Sequence, residues 1–145
     1  MLSPQPQLDH PMAAINSIEG IGDVYQKTLG EAGIDSVEKL LEQGAKRATR
    51  ETLAASTKIS PKLLLRWVNH ADLFRIKGIA TQFAELLEAS GVDTVVALAQ
   101  RNAAYLHEKL VKVNGEKKLV RQVPAQSQIE SFIKQANDLP RVVEY

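Results

Sequence analysis

The 145-residue chain contains no cysteine. This excludes disulfide frameworks, thiolate zinc sites, iron–sulfur clusters and cysteine nucleophiles. Aromatic residues make up only 5% of the sequence, although 44% of it is hydrophobic. Because Leu, Ile, Val and Ala supply most of the apolar residues, a helical core is favoured over a sandwich or barrel of strands. The composition therefore predicts an all-α protein, long enough for one ordinary domain or two very small ones.

Long hydrophobic runs are also missing. The longest, such as 63–65 and 95–99, cover about a turn of helix, whereas a bilayer span needs about 18 residues. The first 14 residues lack the basic cluster and apolar stretch of a secretory signal. Together with the lack of cysteine, these features lead us to expect a cytoplasmic protein without a membrane partner.

A large charge of either sign is absent as well. The chain has 18 Lys and Arg against 17 Asp and Glu, a formal net charge of +1. Proteins that bind nucleic acid usually carry a clear basic excess. Eight basic and eight acidic residues lie in 18–74, and ten basic and eight acidic residues lie in 75–145. Only residues 75–145 therefore carry a net positive charge, and it is small.

An internal repeat organises the chain from Ile18 onward. A shift of 58 positions aligns Ile18-Glu-Gly-Ile-Gly22 with Ile76-Lys-Gly-Ile-Ala80, and eight of 23 aligned positions are identical. Further along the offset is 65, which gives the second copy about seven extra residues near 114–124. We therefore predict a proline-containing arm (1–17), a first copy (18–74) and a second copy (75–145). Copies this small are marginal alone, so we expect them to pack together into one compact unit.

Helix start and stop signals divide each copy into short helices. Gly33 and Gly91 are predicted as left-handed C-terminal caps, and the helix before Gly33 is expected to turn Val24 and Leu29 inward. Proline at the first helical position makes Ser60-Pro61 a strong start signal. Asp35 or Ser36 is predicted to cap the next helix, with Glu38 in capping-box spacing from Asp35. A helix break is predicted at Asn114-Gly115 and a helix end at Pro140. The other predicted helix starts are at Thr49, at Asp93 or Thr94, at Asn102 and at Ser127.

This pattern resembles the helix-hairpin-helix motif. The first copy resembles the small N-terminal domain of archaeal and eukaryotic RecA-type recombinases and the C-terminal domain of bacterial RNA polymerase alpha. The stretch 18–145 is similar to an uncharacterised bacterial family of tandem helix-hairpin-helix proteins, catalogued as a domain of unknown function. The residues that carry the resemblance are Ile18-Glu-Gly-Ile-Gly22, Trp67-Val-Asn-His-Ala-Asp-Leu73, Arg75-Ile-Lys-Gly-Ile79, Gly91-Val-Asp-Thr94 and Gln100-Arg-Asn102. The resemblance implies two tandem helix-hairpin-helix (SAM-like) bundles and, from the more distant relatives, DNA binding.

The hairpin glycines allow two interpretations. In DNA-binding relatives, a Gly-hydrophobe-Gly turn lets backbone amides at a helix N-terminus approach a phosphate. Gly20 and Gly22 fit that role, but Asp23 follows them, and the second copy has Ala80 in place of the last glycine. The glycines can equally serve a tight turn and nothing more. The basic residues of the second hairpin in each copy also allow two interpretations: they contact phosphates, or they are ordinary solvated surface residues. The candidate nucleic-acid-binding residues are Gly20, Ile21, Gly22, Lys58, Lys62, Gly78, Ile79, Lys117, Lys118 and Arg121.

No constellation in the sequence supports catalysis, a metal ion or a cofactor. His70 and Asp72 are two positions apart and lie on different faces of a helix, which is poor spacing for a joint site. Trp67 shares a helical stripe with apolar residues and is predicted to pack in the core. Asp72 and Arg75 are predicted to pair where the two copies meet.

Two functions therefore stay open. The first is a non-enzymatic module that binds the nucleic-acid backbone, weakly and without sequence specificity. The second is a protein-interaction or self-assembly scaffold that uses the arm and the tail Val142-Val-Glu-Tyr145 as docking segments. The near-neutral charge and Asp23 favour the second, whereas the common use of tandem hairpins in DNA binding favours the first, which is the function we expect.

Overall fold

The computed structural model describes residues 14–145, and the regular elements of this part are helices. This part contains no β-strand, which confirms the all-α prediction. The eight α-helices are α1 (Asp23–Glu31), α2 (Val37–Gly44), α3 (Arg47–Thr57), α4 (Pro61–Leu73), α5 (Thr81–Ala89), α6 (Val95–Ala99), α7 (Ala103–Lys117) and α8 (Gln126–Asp138). Most of the predicted arm lies outside the described residues, but Ile15–Ser17 form a 3-10 turn and Ile15 is buried. The core therefore begins before Ile18.

Corresponding elements of the two copies have matching backbones. Helices α1 and α5 are both nine residues long. Each is followed by a glycine in the left-handed region, Gly33 at φ 86° and Gly91 at φ 89°. In both, the amide after the glycine donates to a carbonyl five residues back at 2.8 Å. This is a Schellman cap, so the prediction of glycine caps is confirmed.

The N-terminal caps of α2 and α6 also match. Ser36 accepts a hydrogen bond from the Lys39 amide at 3.1 Å, and Thr94 accepts one from the Ala97 amide at 2.9 Å. Asp35 pairs instead with the ammonium of Lys39 at 3.1 Å, so the predicted Asp35–Glu38 capping box is wrong. The hydroxyl sits one residue closer to the helix, where it reaches the free amides first.

Two predicted boundaries inside the copies are wrong. The N-cap of α3 is Lys46, and the Thr49 hydroxyl donates to its carbonyl at 3.0 Å within the first turn. Asn114-Gly115 does not end α7, which continues to Lys117. The Asn114 side chain bonds both the amide and the carbonyl of Val120, at 3.0 and 2.9 Å, so it fastens the following loop to the helix.

Most other helix boundaries follow their local signals. Ser60 accepts a hydrogen bond from the Leu63 amide, with Pro61 as the first helical residue. Asn102 caps α7 through the Tyr105 amide. Helix α8 begins at Gln126 with Ala125 as its N-cap, so the predicted start at Ser127 is wrong, whereas its end at 138, just before Pro140, follows the prediction. The signals that succeed each act within a few residues of chain.

The core runs through both copies. Helices α2, α3 and α4 pack together, as do α6, α7 and α8, and α4 also contacts α6. Trp67 is fully buried and meets the ring of Tyr25 edge-on, with 4.9 Å between centroids, which confirms the core prediction. Val24 is 77% exposed, so its predicted inward face is wrong. Because Tyr25 turns its ring towards Trp67, its neighbour on α1 points away from the core.

A buried ion pair lies where α4 leads into the second copy. The Arg75 Nε donates to Asp72 at 2.6 Å, and both side chains are almost fully buried. The predicted pairing is confirmed. Burial raises the pKa of the Asp72 carboxyl, although Arg75 opposes this shift. Arg75 also donates to the carbonyl of Pro140 at 3.1 Å and so ties the chain's end to this junction.

The C-terminal tail is bound to the first copy. Val143 is buried, and the Glu144 amide donates to the Ala45 carbonyl at 2.8 Å. The buried guanidinium of Arg50 donates to the carbonyls of Gly44 and Glu144, at 2.8 and 2.6 Å. The expectation of a free docking tail is therefore wrong, because its backbone groups and apolar side chain already have partners within the chain.

Candidate nucleic-acid interface

The two hairpin turns have nearly identical backbones. Gly20 has φ 97° and Gly78 has φ 98°. Gly22 and Ala80 are the N-caps of α1 and α5, and neither helix receives a side-chain cap. The first amides of both helices therefore lack the side-chain acceptor that commonly satisfies them.

Each turn glycine packs beneath an aromatic ring from the last helix of its own copy. A Cβ on Gly78 would lie 2.8 Å from the ring of Phe132, and one on Gly20 would lie 3.2 Å from Nε1 of Trp67. Positive φ and this close approach account for both glycines without a ligand. The side chains of Ile21 and Ile79 are buried in the core, so these two candidate residues present only backbone to the surface.

Acidic side chains surround the first turn. Asp23 is the first residue of α1, and Glu19 lies in the turn itself. Glu85 of α5 is close enough for electrostatic coupling: burial raises the pKa of the Glu85 carboxyl, and the carboxylate of Glu19 raises it further. The carboxylates of Glu19 and Asp23, next to this helix N-terminus in the chain, repel phosphate. The first turn is therefore a poor anion site.

The second turn is held by hydrogen bonds from other elements. The Lys77 amide donates to the Gln135 side chain of α8 at 2.9 Å, and Gln135 donates back to the Lys77 carbonyl at 3.4 Å. The Thr81 hydroxyl donates to the carbonyl of Ser17 at 2.5 Å. Where the first copy has Glu19 and Asp23, the second has Lys77 and Thr81. The second turn thus contains no acidic residue of its own and is hydrogen-bonded to α8 and to Ser17.

Two of the candidate cations lie together beside α5. Lys118 and Arg121 are exposed and line a groove of about 710 Å³ with Gln82, from the first turn of α5, and Asn114. We call this the second-copy groove. Lys118 ends α7 in the left-handed conformation, at φ 52°. The groove therefore places two positive side chains between the first turn of α5 and the C-terminal end of α7.

The other candidate cations are placed differently. Lys117 lines a recess with Glu85 and Glu88, which offset its charge. Lys58 ends α3 in the left-handed conformation, at φ 60°, and is exposed. Lys62 lines a cleft of about 470 Å³ that also contains Asp93 and does not include the first hairpin turn. Lys62 and the glycines of its own copy are thus not brought into one site.

Sequence reasoning missed a cluster that joins α4 to α5. Arg66 donates to both carboxylate oxygens of Glu88, at 2.8 and 2.7 Å, and the buried His70 ring lies 3.0 Å from the same carboxylate. The hydrogen bond from Arg66 lowers the pKa of Glu88, and His70 lowers it further. These residues lie on separate helices, so no local spacing reveals them. The cluster holds the two copies against each other.

The described residues contain no group of three or more His, Asp or Glu side chains that could hold a metal ion. Nor does any helix in 14–145 combine the length and apolar composition needed to cross a bilayer.

Comparison with known proteins gives a family and no activity. A family model described as a domain of unknown function (DUF4332) matches residues 19–139. The chain belongs to this family. The DUF4332 match begins in the first hairpin turn and ends at the last residues before Pro140, so it covers nearly all of both copies. No curated protein and no solved structure matches the chain.

Proposed function

We propose that this DUF4332 chain is a non-enzymatic nucleic-acid-binding module of two tandem helix-hairpin-helix (SAM-like) bundles, 18–74 and 75–145. Support for the two bundles comes from the matching hairpin turns, Schellman caps and hydroxyl caps described above. Binding is to the phosphate backbone, without sequence specificity and with modest affinity, because the net charge is only +1. A cytoplasmic location stays a prediction from the cysteine-free composition.

One observation carries the proposal: the second-copy groove joins two exposed cations to a helix N-terminus. Lys118 and Arg121 face Gln82 in the first turn of α5, and no side chain caps that helix. A phosphate oxygen there would meet both side-chain charge and helix dipole. The first hairpin turn lacks this combination because Glu19 and Asp23 flank it. Binding is therefore assigned mainly to the second copy.

Fluorescence anisotropy with labelled duplex and single-stranded DNA, from about 20 to about 200 mM salt, tests this proposal. We expect binding at low salt that weakens steeply as salt rises, with little difference between sequences. No binding at the lowest salt would overturn nucleic-acid binding as the function.

A pair of matched variants locates the interface. Lys118→Asn/Arg121→Gln removes two charges from the groove, and asparagine tolerates the left-handed φ of position 118. If both side chains contact phosphates, the log–log salt slope should fall by about two units. Lys58→Asn/Lys62→Gln removes the same charge from the first copy, also at a left-handed position. An equal loss in both variants would mean that general charge, and not the groove, drives binding.

A second candidate function is protein interaction, and a specific observation favours it. The cleft that contains Lys62 is mostly apolar, with Leu63 and Leu65 in its wall, and Asp93 lines it as well. The buried Asn69 amide oxygen in this cleft has no hydrogen-bond partner among the described residues. An unpaired buried acceptor is unfavourable, and a peptide N–H would satisfy it while an apolar side chain fills the cleft. Charges of both signs at the cleft suit a polypeptide better than a polyanion.

NMR titration with N-acetyl-leucine methylamide tests this candidate, with the backbone amides of Leu63 and Asp93, which line the cleft, as reporters. We expect a saturable shift that disappears in Asn69→Leu, while the variant keeps or gains thermal stability. A shift that survives in Asn69→Leu would exclude the cleft. Light scattering of the full chain and of a chain lacking residues 1–13 tests self-assembly; this truncation spares Ile15, which is part of the core.

A further inference from the structure

The Ser90 hydroxyl is the starting observation. Ser90 is only 1% exposed, and its hydroxyl has no hydrogen-bond partner among the described residues. Buried polar groups are nearly always hydrogen-bonded, and an unpaired one destabilises the fold. Ser90 lines a cavity of about 280 Å³ between the end of α5 and the start of α7. We call this the Ser90 cavity.

The other polar groups of the Ser90 cavity are suited to an anion. Arg101 and Lys109 are exposed cations that line it, and its lining contains no acidic side chain. Arg101 is held in place because its Nη2 donates to the Gly91 carbonyl at 3.0 Å. Asn102 also lines the cavity and caps the fifteen-residue α7, whose positive dipole end is directed there. Two positive side chains, a hydroxyl and a helix N-terminus thus converge on one small space.

The first copy lacks the serine at the same backbone position. Residue 32 is alanine where the second copy has Ser90. The backbone itself is the same, since the glycines after positions 32 and 90 have φ 86° and 89°. A serine is therefore not needed to form this turn. The unpaired hydroxyl accompanies the cations, which favours a ligand as its partner.

We propose that the Ser90 cavity binds a phosphate group. The Ser90 hydroxyl donates one hydrogen bond, Arg101 donates through its remaining N–H groups, and Lys109 supplies a second charge. The phosphate can be free or can be the terminal phosphate of a nucleotide or strand. Tyr105, 75% exposed and beside the cavity, provides a ring on which an attached base can stack. The cavity lies at the end of α5 opposite the second-copy groove, so this inference does not depend on the proposed function.

An NMR titration of the full chain with inorganic phosphate at constant ionic strength tests the inference. We expect saturable amide shifts centred on Ser90, Gly91 and Arg101. Ser90→Ala should weaken phosphate binding about tenfold, which corresponds to one hydrogen bond to a charged group. Its thermal stability should stay the same or rise, because the first copy carries alanine there, so the loss is separable from unfolding.

A charge-matched pair of variants supplies the control. Lys109→Gln should weaken phosphate binding several-fold, whereas Lys112→Gln, which removes an exposed lysine of the same helix outside the cavity, should not change it. Lys118→Asn/Arg121→Gln should also leave phosphate binding unchanged, which separates this site from the second-copy groove. Unsaturable shifts at many lysines, or equal phosphate affinity in wild type and Ser90→Ala, would overturn the inference.

Oligonucleotides distinguish the two sources of phosphate. Tighter binding of a 5′-phosphorylated strand than of the same strand with a 5′-hydroxyl, abolished by Ser90→Ala, identifies a strand-end phosphate as the ligand. Equal binding of both strands, with phosphate affinity still sensitive to Ser90→Ala, identifies free phosphate.

Discussion

Replacing Gly78 with alanine should destabilise the fold through two separate effects. Gly78 has φ 98°, a conformation that costs an L-residue about 1–2 kcal/mol. The new methyl group would also lie 2.8 Å from Cε1 and 3.2 Å from Cζ of Phe132. Overpacking of this kind in a core costs about 1–3 kcal/mol. We therefore expect a loss of about 2–5 kcal/mol in the free energy of unfolding.

Gly33→Ala separates the two effects. Gly33 has φ 86°, and a Cβ there would meet nothing within 4 Å. This variant should therefore show backbone strain alone, about 1–2 kcal/mol. The difference between Gly78→Ala and Gly33→Ala measures the contact with Phe132. Gly78→Ala/Phe132→Leu should recover part of that difference, which a double-mutant cycle reports as coupling between the two sites.

Urea unfolding followed by Trp67 fluorescence is the suitable assay. The chain has one tryptophan, and it is fully buried, so its emission reports loss of the core. If Gly78→Ala destabilised the protein no more than Gly33→Ala, the packing of Phe132 over the turn would be refuted. The turn glycines would then need another explanation, and close approach to a ligand would be the first to consider.

Three further changes probe the contacts that join the copies. Asp72→Ala leaves the guanidinium of Arg75 buried without its partner and should cost about 3–5 kcal/mol in urea unfolding; unchanged thermal stability would contradict the buried pair. The pKa of Glu88 is lowered in the folded state, so its stabilising contribution is present above the ordinary value of 4.5 and is lost as pH falls through the lower, folded-state pKa. The melting temperature should therefore fall more steeply on acidification in the wild type than in Glu88→Gln, and parallel curves would refute this assignment. Arg50→Met frees the Glu144 carbonyl, should cost about 1–3 kcal/mol, and should raise hydrogen exchange at the Glu144 amide; unchanged exchange would show that the tail is held without Arg50.

Much of the helical fold is predictable from the sequence because its signals are local. Gly33 and Gly91 as caps, Ser60-Pro61 as a start and Asn102 as an N-cap all involve residues within one turn of the helix they bound. The core position of Trp67 follows from helical spacing. Local backbone preference and hydrophobic periodicity act without knowledge of the rest of the fold.

Other features depend on contacts that spacing does not encode. The spacing of Val24 places it on the apolar face predicted for α1, but in the structure Tyr25 contacts Trp67 and Val24 is exposed. Asn114 has the composition of a helix break, yet its side chain is used to hold Val120. Glu88 joins the helix before it through Arg66 and His70, and the tail returns to the first copy. Tertiary partners decide each of these cases.

The candidate sites depend even more on contacts between residues that are distant in the sequence. The sequence identifies Lys118 and Arg121 as cations, but only the fold places them beside the first turn of α5. Ser90 gives no signal in the sequence, since serine at a helix end is ordinary. Its interest arises from burial without a partner. Recognition of such a group requires the positions of all neighbouring atoms.

The repeat separates what the fold requires from what a ligand would require. Both copies share the turn glycine, the buried isoleucine after it and an aromatic ring over the turn, so these features form the structure. The surface around the same backbone differs in both directions, since Glu19 corresponds to Lys77 whereas Lys27 corresponds to Glu85. At the hairpin turn and the glycine cap, the changes from first to second copy include Glu19 to Lys77, Asp23 to Thr81 and Ala32 to Ser90. Thr81 has a structural role, because its hydroxyl donates to the Ser17 carbonyl, whereas the Ser90 hydroxyl has no partner among the described residues and the same cap forms with alanine in the first copy. Folding therefore does not explain Ser90, and an anionic ligand of the second copy does.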